Sequence, residues 1–205
     1  MRKTLLVFTL VLAAVVAAPG AAAPPADVTI SASKPVVVTG QSVTLSGTIS
    51  SKQSGQPVII KAQAVGKTVF SDLATVTTGD KGTWSYVATP TIQTTFQAMW
   101  MTSASQMLTI KVRPKVVLSL VSAATRRFSV AVTGDHSFQG KYVLVQRVTP
   151  NGATAVKRVT LDATSSATFR VRLHARVWRL RAVIPTSQAA PGYITGMSNV
   201  LRFRR

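Results

Sequence analysis

Residues 42–49 read SVTLSGTI and residues 127–134 read RFSVAVTG, and both stretches alternate apolar with polar side chains. They belong to a longer repeat in which apolar residues recur at an offset of 85 residues. The matched pairs are Val43 and Leu45 with Phe128 and Val130, Val58 and Ile60 with Val143 and Val145, Ala74 and Val76 with Val159 and Leu161, and Trp84 and Tyr86 with Phe169 and Val171. A fixed period of this size indicates one structural unit used twice.

The remaining sequence follows the same alternation. Short runs with a period of two, rich in Val, Thr, Ile and Phe, are separated by Gly, Pro, Asn and Asp, which is typical of strands and turns. Strands are predicted at 42–49, 57–63, within 68–78, and at 83–88, 94–101, 107–112, 127–134, 141–148, 155–161, 168–173, 177–183 and 199–204. Two later matches have other offsets, with Phe96 matching Trp178 at 82 residues and Leu108 matching Leu201 at 93. The series predicts an all-β protein made of sandwiches.

The start of the chain has a different composition. Arg2 and Lys3 precede the apolar run 5–18, and the small residues 21–23 follow it. This order predicts a cleaved secretory signal peptide over 1–23, because the apolar run is too short to cross a bilayer. An uncleaved membrane anchor is the alternative. No later apolar stretch has the length of a transmembrane span.

The rest of the chain is predicted to form two domains, 24–113 and 114–205. Pro114 stands between them with almost no linker, and its restricted φ predicts a restricted angle between the domains. The chain contains no cysteine, so neither domain is held by the disulfides that many small exported domains use.

Several of these elements resemble secreted bacterial immunoglobulin-like repeats. The matching positions are Val43, Leu45 and Gly47 in the first strand, Gln56 and Val58 in the second, Asp80 and Gly82 in a turn, and the aromatic Trp84 and Phe96. The resemblance covers 40–112 well and 126–205 more loosely, because the second unit lacks the Asp-Gly turn. It implies two tandem immunoglobulin-like antiparallel β-sandwiches and a non-catalytic module at the cell surface or outside the cell.

The charge of the chain is strongly asymmetric. The formal net charge is +19, and only five residues are acidic, all of them Asp. Residues 24–112 carry six Lys and three Asp, a net +3, whereas residues 113–205 carry thirteen Arg, three Lys and two Asp, a net +14. Such asymmetry indicates an anionic partner for the second domain. The alternative is a drift of composition towards Arg without any ligand.

Arginine alternates with apolar residues in the last strands. Since successive side chains of a strand point to opposite faces, the arginines are expected in solvent while Trp178 and Phe203 enter the core. The predicted binding residues on one outer face, a two-by-two cluster, are Arg179, Arg181, Arg202 and Arg204. Arg170 and Arg172 are assigned to the other sheet, where they add only to the long-range field. Tyr193, in the loop 184–198, is the predicted aromatic binding residue, either presented to solvent or tucked against the sandwich.

The sequence predicts no catalytic residue, metal site or cofactor. It contains no Glu, so the paired carboxylates of a glycosidase are improbable, and two His without Cys cannot form a structural zinc site. His136 is interpreted as a turn residue rather than a catalytic base, and Asp80 as a turn residue rather than a calcium ligand. The protein is therefore expected not to be an enzyme.

These observations predict a secreted or surface-associated module that binds an anionic cell-wall or surface polymer, a carbohydrate or other polyanion, through its basic second domain. The alternative is a structural or protein–protein interaction module whose partner is another exported protein. Nucleic acid is not the expected partner, because the chain has no known nucleic-acid motif and its few aromatic residues are mostly at core positions.

Overall fold

The chain is built almost entirely of β-strands in a computed structural model that describes residues 27–172 and 177–204. The predicted signal peptide lies outside the described residues, as does Leu173 at the end of one predicted strand. The strands are β1 Ser31–Ala32, β2 Val36–Val38, β3 Val43–Thr48, β4 Pro57–Ala64, β5 Ser71–Thr77, β6 Thr83–Ala88, β7 Thr94–Trp100, β8 Ser103–Ala104, β9 Leu108–Arg113, β10 Lys115–Ser122, β11 Arg127–Thr133, β12 Tyr142–Thr149, β13 Gly152–Thr160, β14 Ser166–Arg170, β15 Val177–Ile184, β16 Gly196–Met197 and β17 Leu201–Arg204. A 3₁₀ turn, Asp80–Gly82, and a short helix α1, Thr186–Ala189, complete the described elements.

Strands β1 to β9 form the first sandwich. One sheet has the order β1-β3-β6, and the other has the order β2-β9-β7-β4-β5 with β8 beside β7. This order is immunoglobulin-like, and the edge strand β5 belongs to the second sheet, beside β4. The predicted antiparallel pairing holds except between β2 and β9, which run parallel.

Strands β10 to β17 form the second sandwich with the same order. The sheet β10-β11-β14 faces the sheet β13-β12-β15, which β16 and β17 extend along β15. Arg113 ends β9 and Lys115 begins β10, and among the described residues no strand pairing joins the two sandwiches. Each of the strands predicted from alternation is present, with ends that differ by a few residues. Sequence reasoning missed the short strands β1, β2, β8 and β16. It also missed the longer β10, although Val116 and Leu118 alternate with exposed neighbours in it.

The two sandwiches repeat each other, but not at a constant offset. The 85-residue offset holds for β4 and β12. Gly55 and Gly140, just before these strands, occupy equivalent places, because each donates its backbone N–H to the carbonyl of the residue that follows the next strand, Thr78 or Leu161. For β3, β5 and β6 the offset to the matching strand is 83 residues. Gly82 and Ser165 occupy the same turn position, both with positive φ, and each offers its carbonyl to the matching strand at Ile49 or Val132.

The offset predicted for β7 and β15 also changes, from 82 to 84 residues. Ala62 pairs with Phe96, and Arg147 pairs with Leu180, so Phe96 corresponds to Leu180 at an offset of 84 and not to Trp178. The 93-residue offset of the last strands is confirmed, because Phe96 pairs with Leu108 and Leu180 pairs with Leu201. Offsets that differ by two residues place a residue on the same face of its strand. Apolar residues were therefore matched with apolar residues even where the predicted offset was wrong.

The predicted core aromatics are buried. Trp84, Phe96, Phe169 and Trp178 all have less than a tenth of their surface exposed. In the second sandwich the ring of Phe128 stacks on that of Phe169 at 5.9 Å and meets Phe203 edge-on at 5.8 Å. The inward phase assigned to these strands is therefore confirmed.

The loop 184–198 joins the two sandwiches. Gln93 donates its backbone N–H to Gly192 (2.9 Å), and Ile194 donates to Val112 (3.0 Å), so the loop bonds the first sandwich through its main chain. Arg113 adds a bond from its guanidinium to the carbonyl of Thr195. These bonds connect the loop of the second sandwich to the end of the first, beside the short connection at Pro114.

Candidate binding surface

The four predicted arginines lie on the outer face of the β13-β12-β15-β17 sheet, called here the arginine face. Arg179 of β15 is directly opposite Arg202 of β17, whereas Arg204 is opposite Val177. Arg181 lies beyond the start of β17 at Leu201. The arrangement is therefore one Arg–Arg pair flanked by Arg181 and Arg204 at opposite ends, and not the predicted two-by-two cluster.

The arginine face has exposed cations without acidic partners. Arg179, Arg202 and Arg204 are exposed, and the half-buried Arg181 donates its Nε to the neutral amide oxygen of Gln146 at 2.8 Å. Within residues 27–172 and 177–204 the one ion pair is Lys61–Asp72, in the first sandwich. Like charges across a strand pair are unfavourable, so an anion that bridges Arg179 and Arg202 would relieve a repulsion built into the register.

A shallow depression marks the centre of this face. It measures about 320 Å³ and is lined by Val177, Arg179, Val200 and Arg202. Val177 and Val200 are partly exposed there. The depression can therefore contact both the charge and the carbon skeleton of a ligand.

Of the two positions that the sequence leaves open for Tyr193, the structure has the one tucked against the sandwich. Its side chain is 3% exposed, its hydroxyl donates to the carbonyl of Thr91 at 2.8 Å, and it accepts the backbone N–H of Asp135. Burial raises the pKa of this phenol. Because the ring is enclosed where the sandwiches meet, Tyr193 connects them and is not presented to a ligand, and the loop 184–198 is a docking element.

A second basic region was missed by the sequence analysis. The free edges of β13 and β14 leave an open cleft of about 660 Å³ in the second sandwich, called here the second cleft. Its lining includes Arg126, Lys157, Arg170, Val171, Arg172 and Trp178. Lys157 had a detectable signal, because it lies two residues before the buried Val159 and so at a core-facing position of its strand.

The first sandwich has a cleft at the same place, between β5 and β6, called here the first cleft. It measures about 330 Å³. Four lining positions correspond in the two clefts: Leu73 and Val156, Ala88 and Val171, Thr89 and Arg172 at an offset of 83 residues, and Thr94 and Trp178 at 84. One lysine, Lys67, lines the first cleft, whereas four cations line the second.

The described part of the chain contains neither a metal-binding cluster nor a helix of transmembrane length. Residues 27–172 and 177–204 contain no group of three or more His, Cys, Asp or Glu that could hold a metal ion. In the same residues no helix is long and apolar enough to cross a membrane. His136 lies 5.0 Å from the ring of Phe138 and 5.3 Å from that of Tyr193, beside the contact between the sandwiches.

Comparison with known proteins assigns no family. No protein-family model matches the chain, and no curated protein matches it. A crystal structure of a tetra-tandem repeat in the extending region of a large adhesion protein matches with 16% identity and a TM-score of 0.38, over 87% of this chain and 49% of that chain.

Two bacterial macroglobulins match at a similar level. Salmonella alpha-2-macroglobulin has 10% identity and E. coli alpha-2-macroglobulin has 12%, each over 87% of this chain and 16% of the other, with a TM-score of 0.35. The chain thus spans about half the length of the adhesion-protein structure and a small part of the macroglobulins. At these TM-scores none of the three bears on the function.

Proposed function

We propose that this protein is an exported, non-catalytic binding module that attaches to anionic surface polymers through the arginine face. The observation that carries the proposal is the register of Arg179 opposite Arg202, with exposed side chains and no carboxylate paired to them in the described residues. Guanidinium groups bind phosphate and carboxylate through two parallel hydrogen bonds, so the pair suits a polymer with repeated anionic groups.

The charge distribution supports the same function. Residues 113–205 carry a net +14 and contain only two acidic residues, Asp135 and Asp162. Both carboxylates are engaged locally, Asp135 with the hydroxyl of Thr91 at 3.0 Å and Asp162 with Thr164 at 2.7 Å. With both carboxylates counted, the second half keeps its net +14, which an external anionic partner would balance. Because the field of this charge is screened over about 8 Å at physiological salt, binding should weaken steeply as salt rises.

The test is retention on an immobilised anionic cell-wall polymer at low and high salt. A variant with Arg179, Arg181, Arg202 and Arg204 all changed to Gln should keep its fold and lose most of its retention at low salt. The matched control removes four exposed charges from the first sandwich, by changing Lys34, Lys67, Lys81 and Lys111 to Gln. It should be retained almost as well as the unaltered protein.

Equal retention of the two variants would show that total charge decides binding and would refute the role of the arginine face. Retention of the unaltered protein that does not respond to salt would instead favour the alternative function, a module that contacts another exported protein. Circular dichroism and thermal unfolding of each variant establish that the fold is intact.

A further inference from the structure

We propose that the second cleft is a separate binding site for a linear ligand that carries at least two phosphate groups. This site does not rest on the arginine face. Trp178 and Lys157 lie on the core-facing side of their strands, whereas Arg179 faces outward from the opposite side of the same sheet. The two sites therefore use different residues and can be removed independently.

The fold leaves this cleft open in both sandwiches. β13 and β14 are edge strands of the two facing sheets, as β5 and β6 are in the first sandwich. No strand closes the gap between them among the described residues, so side chains of the edge strands and the buried strand behind them form the walls and floor. The position of the cleft follows from the strand order, and its chemistry follows from the side chains at its lining positions.

Those side chains make the second cleft strongly basic. Arg126, Lys157, Arg170 and Arg172 all line it, and neither Asp135 nor Asp162 does. Arg170 is also directly opposite Arg127 across the strand pair. Cations that line one cleft repel each other, and the described residues contain no acidic group there that offsets the repulsion.

The floor of the cleft is Trp178, which is 6% exposed. The guanidinium of Arg147 lies over its ring, 4.7 Å from the centroid. Trp178 replaces Thr94 of the first cleft, so the second cleft has gained an aromatic base together with its cations. Ligand pockets commonly join an apolar floor with a few charged groups that fix orientation.

Phosphate is the anion that this set of cations suits best. Each phosphate group offers three acceptor oxygens, and an arginine fork binds two of them in one plane. The cleft, at about 660 Å³, is large enough for more than one phosphate. Two or more phosphate groups on one ligand offset more of the charge of these four cations than a single phosphate does.

The first experiment uses inorganic tripolyphosphate as the probe and follows the indole N–H signals of the full chain by NMR. The signal of Trp178 should shift on titration, while those of Trp84 and Trp100, in the first sandwich, should not. Inorganic monophosphate should bind at least about tenfold more weakly. An unmoved Trp178 signal at saturating tripolyphosphate would overturn the proposal.

Variants locate the site. Changing Lys157 and Arg172 to Gln should weaken tripolyphosphate binding by about tenfold or more, because both exposed cations line the cleft. The matched control changes Lys34 and Lys111 to Gln and removes the same charge from the first sandwich. An equal loss in both variants would assign the binding to the general field and overturn the proposal.

The arginine face supplies the second control. Changing Arg179 and Arg202 to Gln should leave the tripolyphosphate-induced shift of the Trp178 indole signal within about twofold of its size in the unaltered protein. The same variant should be retained less on the polymer matrix. Loss of retention with the shift preserved would support two independent sites, and loss of the Trp178 shift in this variant would overturn the second one. Comparing tripolyphosphate with poly(glycerol phosphate) distinguishes a free oligophosphate from a phosphodiester polymer as the source.

The duplication also allows a gain-of-function experiment. Ala74, Val87 and Thr89 of the first sandwich correspond to Lys157, Arg170 and Arg172 at the 83-residue offset. The variant Ala74→Lys, Val87→Arg, Thr89→Arg should bind a second equivalent of tripolyphosphate, detected by calorimetry. If it folds and binds no additional probe, the placement of these cations does not create the site and the proposal fails.

Discussion

The first and second clefts lie at the same place in the same fold, yet they offer different chemistry. Both open between the free edges of two facing sheets, and four of their lining positions correspond. At one of these positions Thr89 in the first cleft becomes Arg172 in the second, and at another Thr94 becomes Trp178. Strand order therefore fixes where a cleft forms, while a few lining positions decide what it can bind.

A cross-strand pair in the core makes the same point about packing. Gly47 pairs with Trp84 in the first sandwich, and the corresponding pair in the second is Val130 with Ala167. A Cβ on Gly47 would lie 2.7 Å from the Trp84 ring and 1.9 Å from the carbonyl oxygen of Thr29. The smaller residue of the pair lies on β3 in the first sandwich and on β14 in the second. The larger side chain therefore fills this part of the core from β6 in one sandwich and from β11 in the other.

The largest expected effect is on Trp178, which has a polar counterpart, Thr94, in the first sandwich. Trp178→Ala should lower the free energy of unfolding by about 3–5 kcal/mol, because a buried indole leaves a cavity behind. Chemical denaturation followed by circular dichroism measures the loss. As the control, Thr94→Ala in the first sandwich removes far less volume and should cost much less. An unchanged unfolding midpoint for Trp178→Ala would contradict its place in the core.

Gly47 tests whether the exchanged core pair is obligatory. Gly47→Ala should cost about 3 kcal/mol, because its Cβ would collide with backbone that cannot move freely. Gly40→Ala is the matched control. Gly40 has a φ of 84°, but no atom lies within 4 Å of the place that a Cβ would take, so only backbone strain of about 1 kcal/mol is expected. Equal losses in thermal unfolding would show that packing around Gly47 is looser than the pair implies.

Tyr193 tests whether the two sandwiches act as one unit. Tyr193→Phe removes the bonds to Thr91 and Asp135 and should cost about 1–3 kcal/mol. Calorimetry should then show the two sandwiches unfolding less cooperatively than in the unaltered protein. A single transition with an unchanged midpoint would show that the main-chain bonds of the loop 184–198 suffice to join them.

The same tyrosine predicts a pH dependence. Burial raises the pKa of the phenol above its ordinary value of 10.0, so the folded protein holds this proton more tightly than the unfolded chain. The stabilisation is complete below pH 10.0 and is lost as pH rises through the folded pKa. The stability difference between the unaltered protein and Tyr193→Phe should therefore shrink above that pH. A difference that stays constant would contradict the hydrogen bond from the neutral phenol.

The smallest effect concerns the turn before β14. In the first sandwich the matching turn contains Gly79 and Gly82, whereas the second uses the carboxylate of Asp162, which accepts the hydroxyl of Thr164 at 2.7 Å and the N–H of Ser166 at 3.1 Å. Asp162→Asn should lower the melting temperature slightly at neutral pH. Asp80→Asn, in the first turn, is the control and should change it less.

The sign of the pH dependence at Asp162 is opposite to that at Tyr193. Hydrogen bonds, that from the Thr164 side chain foremost, lower the pKa of this carboxyl below its ordinary value of 3.8. Its stabilisation is present above pH 3.8 and is lost as pH falls through the folded pKa. The difference between the unaltered protein and Asp162→Asn should disappear at low pH. A difference that persists there would assign the effect to the turn's shape rather than to its charge.

Alternation predicted most of the strands and the inward phase of the core aromatics. It did not locate β10, although Val116 and Leu118 carry the same signal. The reason is that the second unit was taken to begin with the strand 127–134, the counterpart of 42–49. It also gave an offset of 85 residues to strands that correspond at 83. The turn positions Gly82 and Ser165 show the 83-residue offset, and a two-residue slip is invisible to a pattern whose period is two.

The binding surface was predicted less completely than the core. Arg179 and Arg202 are on one outer face as expected, since alternation fixes the face of a side chain. Alternation does not fix which residues lie opposite each other across strands, so the cluster's shape was wrong. Tyr193 was assigned from its place in the loop 184–198, and that place carried no information about the meeting of the two sandwiches, where the ring is buried.

The sequence by itself determined the strand content, the duplication, the inward phase of the core and the concentration of arginine in the second half. These properties are local or compositional, so they can be read along the chain. The tertiary structure alone decided the opposition of Arg179 and Arg202, the burial of Tyr193 between the sandwiches, and the meeting of Lys157, Arg172 and Trp178 in one cleft. Each of these depends on strand order and register, which bring together residues that are distant in sequence.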